Sequence, residues 1–237
     1  MKPFRALSFD LDRTLLDGSR FQDSIACACE MMAASQPGLD APRMISANAE
    51  VWSRYWHEVE IKELLGELDG ASVSLEAWRR TLEACGCHDE AAVRLVAGIH
   101  GQLARDSHRL FDDVEGLISA ARRARIPLAL VSNGASDTQR AKLRVLKIEH
   151  WFDAIVISGE TRVAKPDRAA FRLALDALAL EPAEVWHIGD SLTKDVAGAK
   201  GAGLTAVWLN RNGVARHGSD PEADLEIRSL TELFAFL

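Results

Sequence analysis

Asp10 and Asp12 stand one residue apart in the stretch S-F-D-L-D-R-T-L-L-D-G, at the end of a short apolar run. Carboxylates are seldom buried unless they are paired or coordinate a metal. Two of them closing a buried strand therefore demand a positive partner. Ser132-Asn133-Gly134, Lys165-Pro166-Asp167 and Gly189-Asp190-Ser191 lie beyond other apolar runs, with Asp195 five residues past Asp190. Each is an ordinary loop sequence alone. Together they supply carboxylates for nucleophilic, acid–base or metal-ligand work, a hydroxyl, and one ammonium.

The elements that must position these groups follow a regular rhythm. Short apolar runs at Ala6–Phe9, Pro127–Val131, Ala154–Ile157, Val185–Ile188 and Thr205–Leu209 predict strands. Amphipathic stretches at Val114–Arg125, Thr138–Leu146, Ala169–Leu180 and Lys194–Ala202 predict the helices between them. The C-terminal E-A-D-L-E-I-R-S-L-T-E-L-F-A-F-L predicts a last short strand and a closing helix. Strands alternating with helices imply an α/β fold, a doubly wound parallel sheet covered on both faces. Ligands of such sheets bind beyond the carboxyl ends of the strands, where the polar groups above collect.

Between about residues 21 and 109 the strands stop. Helical patterns at Phe21–Ala34, Arg43–Leu65, Leu75–Ala84 and Asp89–Arg105 are separated by turn-rich S-Q-P-G-L-D-A-P, G-E-L-D-G-A-S-V-S and C-G-C-H. They predict an all-helical domain over residues 18–108, inserted into a core of residues 1–17 and 109–237. Trp52, Tyr55, Trp56 and Val59 form an apolar stripe on the longest helix, read as bundle core.

The strand-end set carries a resemblance. D-x-D-x-T (Asp10, Asp12, Thr14), Ser132, Lys165 and G-D-x4-D (Gly189, Asp190, Asp195) stand in the order found in phosphatases of the haloacid dehalogenase superfamily, and the chain is identified as a member. The core match spans about residues 4–18 and 110–210. Its core segments are most similar to N-acylneuraminate-9-phosphatases and pyrimidine 5′-nucleotidases. The resemblance implies a Rossmann-like core with the helical insertion as cap, and a Mg²⁺-dependent phosphatase of a small phosphorylated metabolite. It assigns Asp10 as nucleophile forming an aspartyl-phosphate, and Asp12 as acid and base. Mg²⁺ would be held by the Asp10 and Asp190 carboxylates and the Asp12 backbone carbonyl. Ser132, Asn133 and Lys165 would bind the phosphoryl oxygens, the backbone N–H groups of Leu11 and Asn133 adding donors. Asp195 would anchor Lys165 or a metal-bound water, and Thr14 would order the turn. Arg13 stands where the family often has glycine.

Alternative activities on this fold are a 2-haloacid dehalogenase, a phosphomutase, and a non-catalytic phosphate-sensing or partner-binding module. A dehalogenase needs neither metal nor the acid–base aspartate, so Asp12 argues against it. No nucleophile or cation of the set is missing, which argues against a silent scaffold.

The bulk numbers narrow the partners. A formal charge of −7 over 237 residues disfavours a nucleic-acid polymer. No apolar run approaches the ~20 residues that span a bilayer, and acidic residues interrupt the N-terminus before a signal core forms. A cytoplasmic monomer or homodimer, away from membranes, is expected. Cys27/Cys29 and Cys85/Cys87 are C-x-C pairs, whereas zinc ligands usually follow C-x₂₋₄-C, so free thiols are expected. G-A-K-G-A-G at 198–203 follows a helix and reads as a helix end, and His187 reads as a packed strand residue making one hydrogen bond.

Overall fold

In the computed structural model of the chain, residues 4–237 are described; the first three residues, which belong to the N-terminal reading above, lie outside them. Six parallel strands form one sheet in the order β5-β4-β1-β6-β7-β8. They are β1 (Ala6–Phe9), β4 (Leu128–Ser132), β5 (Ala154–Ile157), β6 (Val185–Gly189), β7 (Thr205–Leu209) and β8 (Leu225–Ile227). Every residue of β1, β4 and β6 is buried. That is why these strands read as continuous apolar runs without alternation.

Alternate side chains serve two cores. Leu7, Phe9, Leu130 and Ile188 face α5 (Val114–Arg123), α6 (Ser136–Leu146) and a C-terminal 3₁₀ helix, Leu230–Phe236. Ala6, Ala129, Val131 and Val185 face α8 (Arg168–Leu178) and α9 (Ala197–Ala202). The register pairs Leu7 with both Leu128 and Trp186, so the ends of β4, β1 and β6 open on one edge.

Some details differ from the sequence reading. The expected helix Lys194–Ala202 is divided: its first three residues belong to a π-helical turn, Leu192–Val196, that leads into α9. The closing helix is 3₁₀. A two-stranded antiparallel ribbon, β2 (Leu16–Asp17) with β3 (Arg109–Leu110), brackets the insertion and is too short to show a period.

Between the ribbon strands lie four helices, α1 (Phe21–Ser35), α2 (Ala41–Leu64), α3 (Gly70–Ala84) and α4 (Glu90–Ser107). Asp40, Asp69 and Asp89 each cap the following helix by accepting a backbone N–H. Helix α3 starts five residues before the expected Leu75. Its first two N–H groups, from Gly70 and Ala71, donate to Asp137 of α6 at 2.9 and 3.0 Å. A contact 66 residues away thus adds to the local cap that Asp69 provides. In the other direction Glu63 of α2 accepts from Ala135 N at 2.8 Å, at the start of α6. These bonds seat the helices over the sheet edge. Tyr55 and Val59 are bundle core as expected, whereas Trp52 and Trp56 are only half-buried.

The turn after β1 is tied to the C-terminal part of the chain through Asp113. Its carboxylate accepts from Arg211 (2.8 and 2.9 Å), Ser229 Oγ (2.8 Å) and Leu230 N (2.9 Å), while Arg211 Nη2 also donates to Thr14 O at 2.9 Å. Burial works against the Asp113 charge, but these donors outweigh it and hold the carboxyl below its ordinary range. A depressed folded-state pKa contributes stability above the unfolded value, about 3.9, and that contribution is lost as pH falls through the folded value. Asp113→Asn should therefore cost about 1.5–3 kcal/mol at pH 7, as expected for hydrogen bonds to a charged group. In urea unfolding, the wild-type and variant stabilities should converge as the pH is lowered from 5 towards 2.

Candidate functional site

Strand β1 delivers Asp10 to the sheet edge, and the Asp10 N–H continues the ladder by donating to Ile188 O at 3.0 Å. Lys165 comes from the loop beyond β5. Its Nζ donates to Asp10 Oδ1 and Asp195 Oδ1, both at 2.6 Å, and its side chain is 2% exposed. An exposed loop lysine is thereby excluded. Asn133, just after β4, clamps the same loop: its Nδ2 donates to Lys165 O at 2.9 Å and its Oδ1 accepts from Lys165 N at 2.8 Å. The Asn133 side chain is thus committed to placing Lys165, and it is the backbone N–H of Asn133 that the resemblance offers to the phosphate.

Asp195 lies in the π-helical turn after β6. Besides Lys165 it accepts from His187 Nε2 at 3.2 Å and Ser191 N at 3.0 Å. Because Nε2 donates to a carboxylate, Nδ1 of the neutral ring accepts from Ser8 Oγ, at 2.9 Å. Burial holds His187 below its ordinary pKa. His187 thus makes two hydrogen bonds and buttresses the site from beneath. Gly189 is required at the end of β6, since a Cβ there would lie 2.2 Å from Asp195 Cγ.

One ammonium serves two buried carboxylates. Burial opposes the Asp195 charge, but Lys165 and His187 outweigh it and its pKa falls. Burial likewise opposes the charge on Lys165, and Asp10 and Asp195 overcome it, so the ammonium is held. Asp10 is left under-compensated: burial, with Asp195 and Asp12 nearby, raises it to about 7 against the pull of Lys165.

Carboxylate oxygens of Asp10, Asp190 and Asp195 lie within 4.8 Å of one another. An all-oxygen donor set of this charge suits a hard divalent cation. Both Asp195 oxygens already accept hydrogen bonds, which leaves Asp10 and Asp190 with spare capacity among the described residues. The residues present fit a hard cation on those two. Burial raises the Asp190 pKa, partly offset by Arg13, whose Nε lies 3.1 Å from Asp190 Oδ2. Arg13 has φ 63°, the left-handed region that favours glycine, the residue the resemblance expects there.

Asp12, two residues on, faces the other way. Its Oδ1 and Oδ2 take Lys142 Nζ at 2.8 and 2.9 Å, and Oδ2 also takes Gln139 Nε2 at 2.9 Å. Burial raises Asp12, but Lys142 and Gln139 outweigh it and keep the carboxyl below its ordinary range. Gln139 Nε2 additionally approaches Ser132 Oγ at 2.6 Å and Asn133 O at 3.0 Å. Asp12 borders a cavity of about 790 Å³ between the four helices and the sheet edge. Thr14 meets the rest of the chain through its backbone rather than its hydroxyl. Its Oγ1 is buried without a partner among the described residues, and the backbone carbonyl makes the tie to Arg211.

The structure thus gathers Asp10, Lys165, Asp190 and Asp195 in one cluster, with Ser132, Asn133 and Asp12 around it. Gln139 and Lys142 escaped the sequence reading, and Arg13 was read only as a departure from glycine. Gln139 and Lys142 sit three apart on the helix that follows Ser132, and that spacing places both on one face. Only the fold shows that this face meets Asp12.

The description haloacid dehalogenase-like hydrolase matches residues 4–203. Phosphoserine phosphatase of Thermus thermophilus is 38% identical over 159 residues, covering 66% of this chain and 62% of that protein. Human N-acylneuraminate-9-phosphatase is 29% identical, covering 98% of this chain and 93% of its own length. The solved structure of HAD-hydrolase YfnB from Bacillus subtilis, bound to magnesium, superposes with a TM-score of 0.72 at 27% identity, over 100% of this chain and 99% of that one. A 2-haloacid dehalogenase from Pseudomonas syringae, at 24% identity and TM-score 0.72, shares the fold over 98% of this chain and 97% of that one. No helix among the described residues is long and apolar enough to cross a membrane.

Lys165→Met would leave Asp10 and Asp195 buried without their common cation. Breaking a buried ion pair from one side costs about 3–5 kcal/mol. In chelator at pH 7 the variant should lose stability by about that much in urea unfolding. The deficit should shrink towards pH 5, where protonation relieves the orphaned charge. A deficit below 1 kcal/mol at pH 7 would deny Lys165 its central place.

Proposed function

The chain belongs to the haloacid dehalogenase-like hydrolases, and we propose that within them it hydrolyses phosphate monoesters of small metabolites, using a divalent cation such as Mg²⁺. The observation that carries this reading is the division of labour across one turn. Asp10 lies in the buried cluster around Lys165, while Asp12, two residues away, borders the large cavity. A nucleophile and an acid–base group on opposite sides of one phosphorus need that arrangement.

Asp10 attacks phosphorus with a carboxylate oxygen, and the bond from phosphorus to the leaving oxygen breaks. The leaving oxygen takes the proton of the Asp12 carboxyl and departs as the alcohol. Water then attacks the aspartyl-phosphate, gives a proton back to Asp12, and the Asp10–phosphorus bond breaks to release phosphate. Lys165 and Ser132, with the backbone N–H groups of Leu11 and Asn133, hold the phosphoryl oxygens. Asp195, buttressed by His187, keeps the Lys165 ammonium aimed and charged. Gln139 and Lys142 orient Asp12, and a substrate must compete for that ammonium before Asp12 can carry a proton.

Asp10 and Asp190, with the Asp12 carbonyl, would hold the cation. When bound it cancels charge between the carboxylate nucleophile and the phosphate dianion. Magnesium in the Bacillus subtilis relative supports that choice. Two relatives named as phosphatases support the reaction, and their differing names leave the substrate to be read from the cavity. The four helices, residues 18–108, act as the cap that selects it, within a core of residues 1–17 and 109–237.

Phosphate release from p-nitrophenyl phosphate, with Mg²⁺ or with chelator, tests the assignment. Turnover should require the metal and collapse in Asp10→Asn. Near-wild-type turnover in that variant would refute the covalent route, and halide release from 2-chloropropionate without phosphatase activity would favour a dehalogenase. Asp12→Asn should retain Mg²⁺ binding by calorimetry and lose about 10²–10⁴-fold on alkyl phosphates. Aryl phosphates, with better leaving groups, should lose less in the first step. Equal losses would remove Asp12 as the proton donor.

A further inference from the structure

We propose that Gln139 is a positioning residue for the phosphate site: anchored on Asp12 and the Asn133 carbonyl, its amide donates to Ser132 Oγ and so aims the Ser132 hydroxyl hydrogen at the phosphoryl group. The inference rests on the phosphatase reading and adds to it a residue that acts on the phosphate only through Ser132.

Gln139 stands near the start of α6 and is buried. Its Nε2 lies 2.6 Å from Ser132 Oγ, 2.9 Å from Asp12 Oδ2 and 3.0 Å from Asn133 O. The last two only accept, since an ionised carboxylate and a backbone carbonyl have no hydrogen to give. Turning the amide over would set its oxygen against both, so the nitrogen must hold this place. The amide keeps that orientation although its own Oε1 is buried without a partner among the described residues. An unmet buried acceptor is costly. The contacts on the nitrogen outweigh it.

The consequence falls on Ser132. An amide nitrogen donates and does not accept, so the short contact is Nε2–H donating to Oγ, and the hydroxyl hydrogen must point elsewhere. It meets no acceptor among the described residues. The register pairs Leu130 with Phe9, which brings Ser132 beside the turn that carries Asp10 and Asp12. A phosphoryl oxygen at Asp10 supplies the missing acceptor. A hydroxyl that already accepts also donates more strongly, because chained hydrogen bonds polarise one another.

The segment between Ser132 and Gln139 is a firm base for this task. Gly134 has φ 144°, and a Cβ there would lie 3.1 Å from Gln139 Cδ. Gly134 N donates to Ser158 Oγ at 3.0 Å, and Gly159 N donates to Gly134 O at 3.0 Å. Ala135 N is taken by Glu63 at 2.8 Å. The turn is thus tied to the segment after β5 on one side and to α2 on the other.

Inhibition of p-nitrophenyl phosphate turnover by inorganic phosphate, with the full chain and Mg²⁺, reads the aimed donor. Gln139→Met keeps the length of the side chain and deletes the amide. Its Ki for phosphate should rise roughly fivefold or more, the scale of one hydrogen bond to a charged group. In a Ser132→Ala background the same substitution should change Ki by less than about twofold, because the hydroxyl it aims is gone. A merely structural disturbance would raise Ki alike in both backgrounds. That result, or an unchanged Ki in Gln139→Met, would overturn the inference. Should the Met variant fail to fold, a crystal structure of the wild-type chain with Mg²⁺ and vanadate decides. Ser132 Oγ should stand within about 3.0 Å of a vanadate oxygen while Gln139 Nε2 stays on Oγ. Vanadate bound without that pair of contacts would overturn the inference and leave the phosphatase reading intact. Failure to hydrolyse any phosphate ester, p-nitrophenyl phosphate included, would remove both.

Discussion

A single buried ammonium, shared between Asp10 and Asp195, is the contact on which the rest of the site depends. Taking three charges out of water is expensive, and attraction in a low-dielectric interior offsets that only with short, well-aligned bonds. The fold provides them by converging three elements: the end of β1, the turn after β6, and the loop beyond β5 that Asn133 clamps. Much of the surrounding architecture follows from this need. Gly189 lets Asp195 approach the strand, and the Ser8–His187 relay holds Asp195 from within the sheet face.

The sharing is unequal, and chemistry follows from the inequality. Asp195 collects further donors and remains ionised, so it serves as a fixed counter-charge. Asp10 collects only Lys165 among the described residues and keeps an unmet demand for positive charge. An incoming cation would meet that demand. The same logic runs through Asp12, whose cation is Lys142 on the cavity side. Two aspartates one residue apart thus avoid direct conflict by answering to different cations on opposite sides of the turn.

The helical layer is bound to the sheet edge by few but directional bonds. Glu63 takes a core N–H, Asp137 takes two N–H groups from the start of α3, and Gly70 packs where a Cβ would lie 2.0 Å from Thr138 Oγ1. These contacts border the cavity that His100, Trp52 and Trp56 line, so the groups that seat the layer also shape the space a leaving group would fill.

The strands and the identity of the cluster were legible in the chain because each is locally encoded. Buried parallel strands need continuous apolar runs, and Asp10, Lys165, Asp190 and Asp195 follow such runs. The ribbon β2–β3 was not legible, since two residues per strand carry no period, and the start of α3 was read five residues late, since beyond the local Asp69 cap its first two N–H groups are met by Asp137 of a distant helix. Gln139 and Lys142 looked like any polar helix face, and Trp52 and Trp56 like any apolar stripe. What distinguishes them is the partner they meet 127 or 130 residues away in the chain, or across the cavity. Sequence by itself determined which chemical groups stand at the strand ends, because hydrophobic patterning sets where strands end. Only the tertiary structure decided which cation answers which carboxylate and what faces the cavity, because those pairings depend on distances that the chain closes on folding.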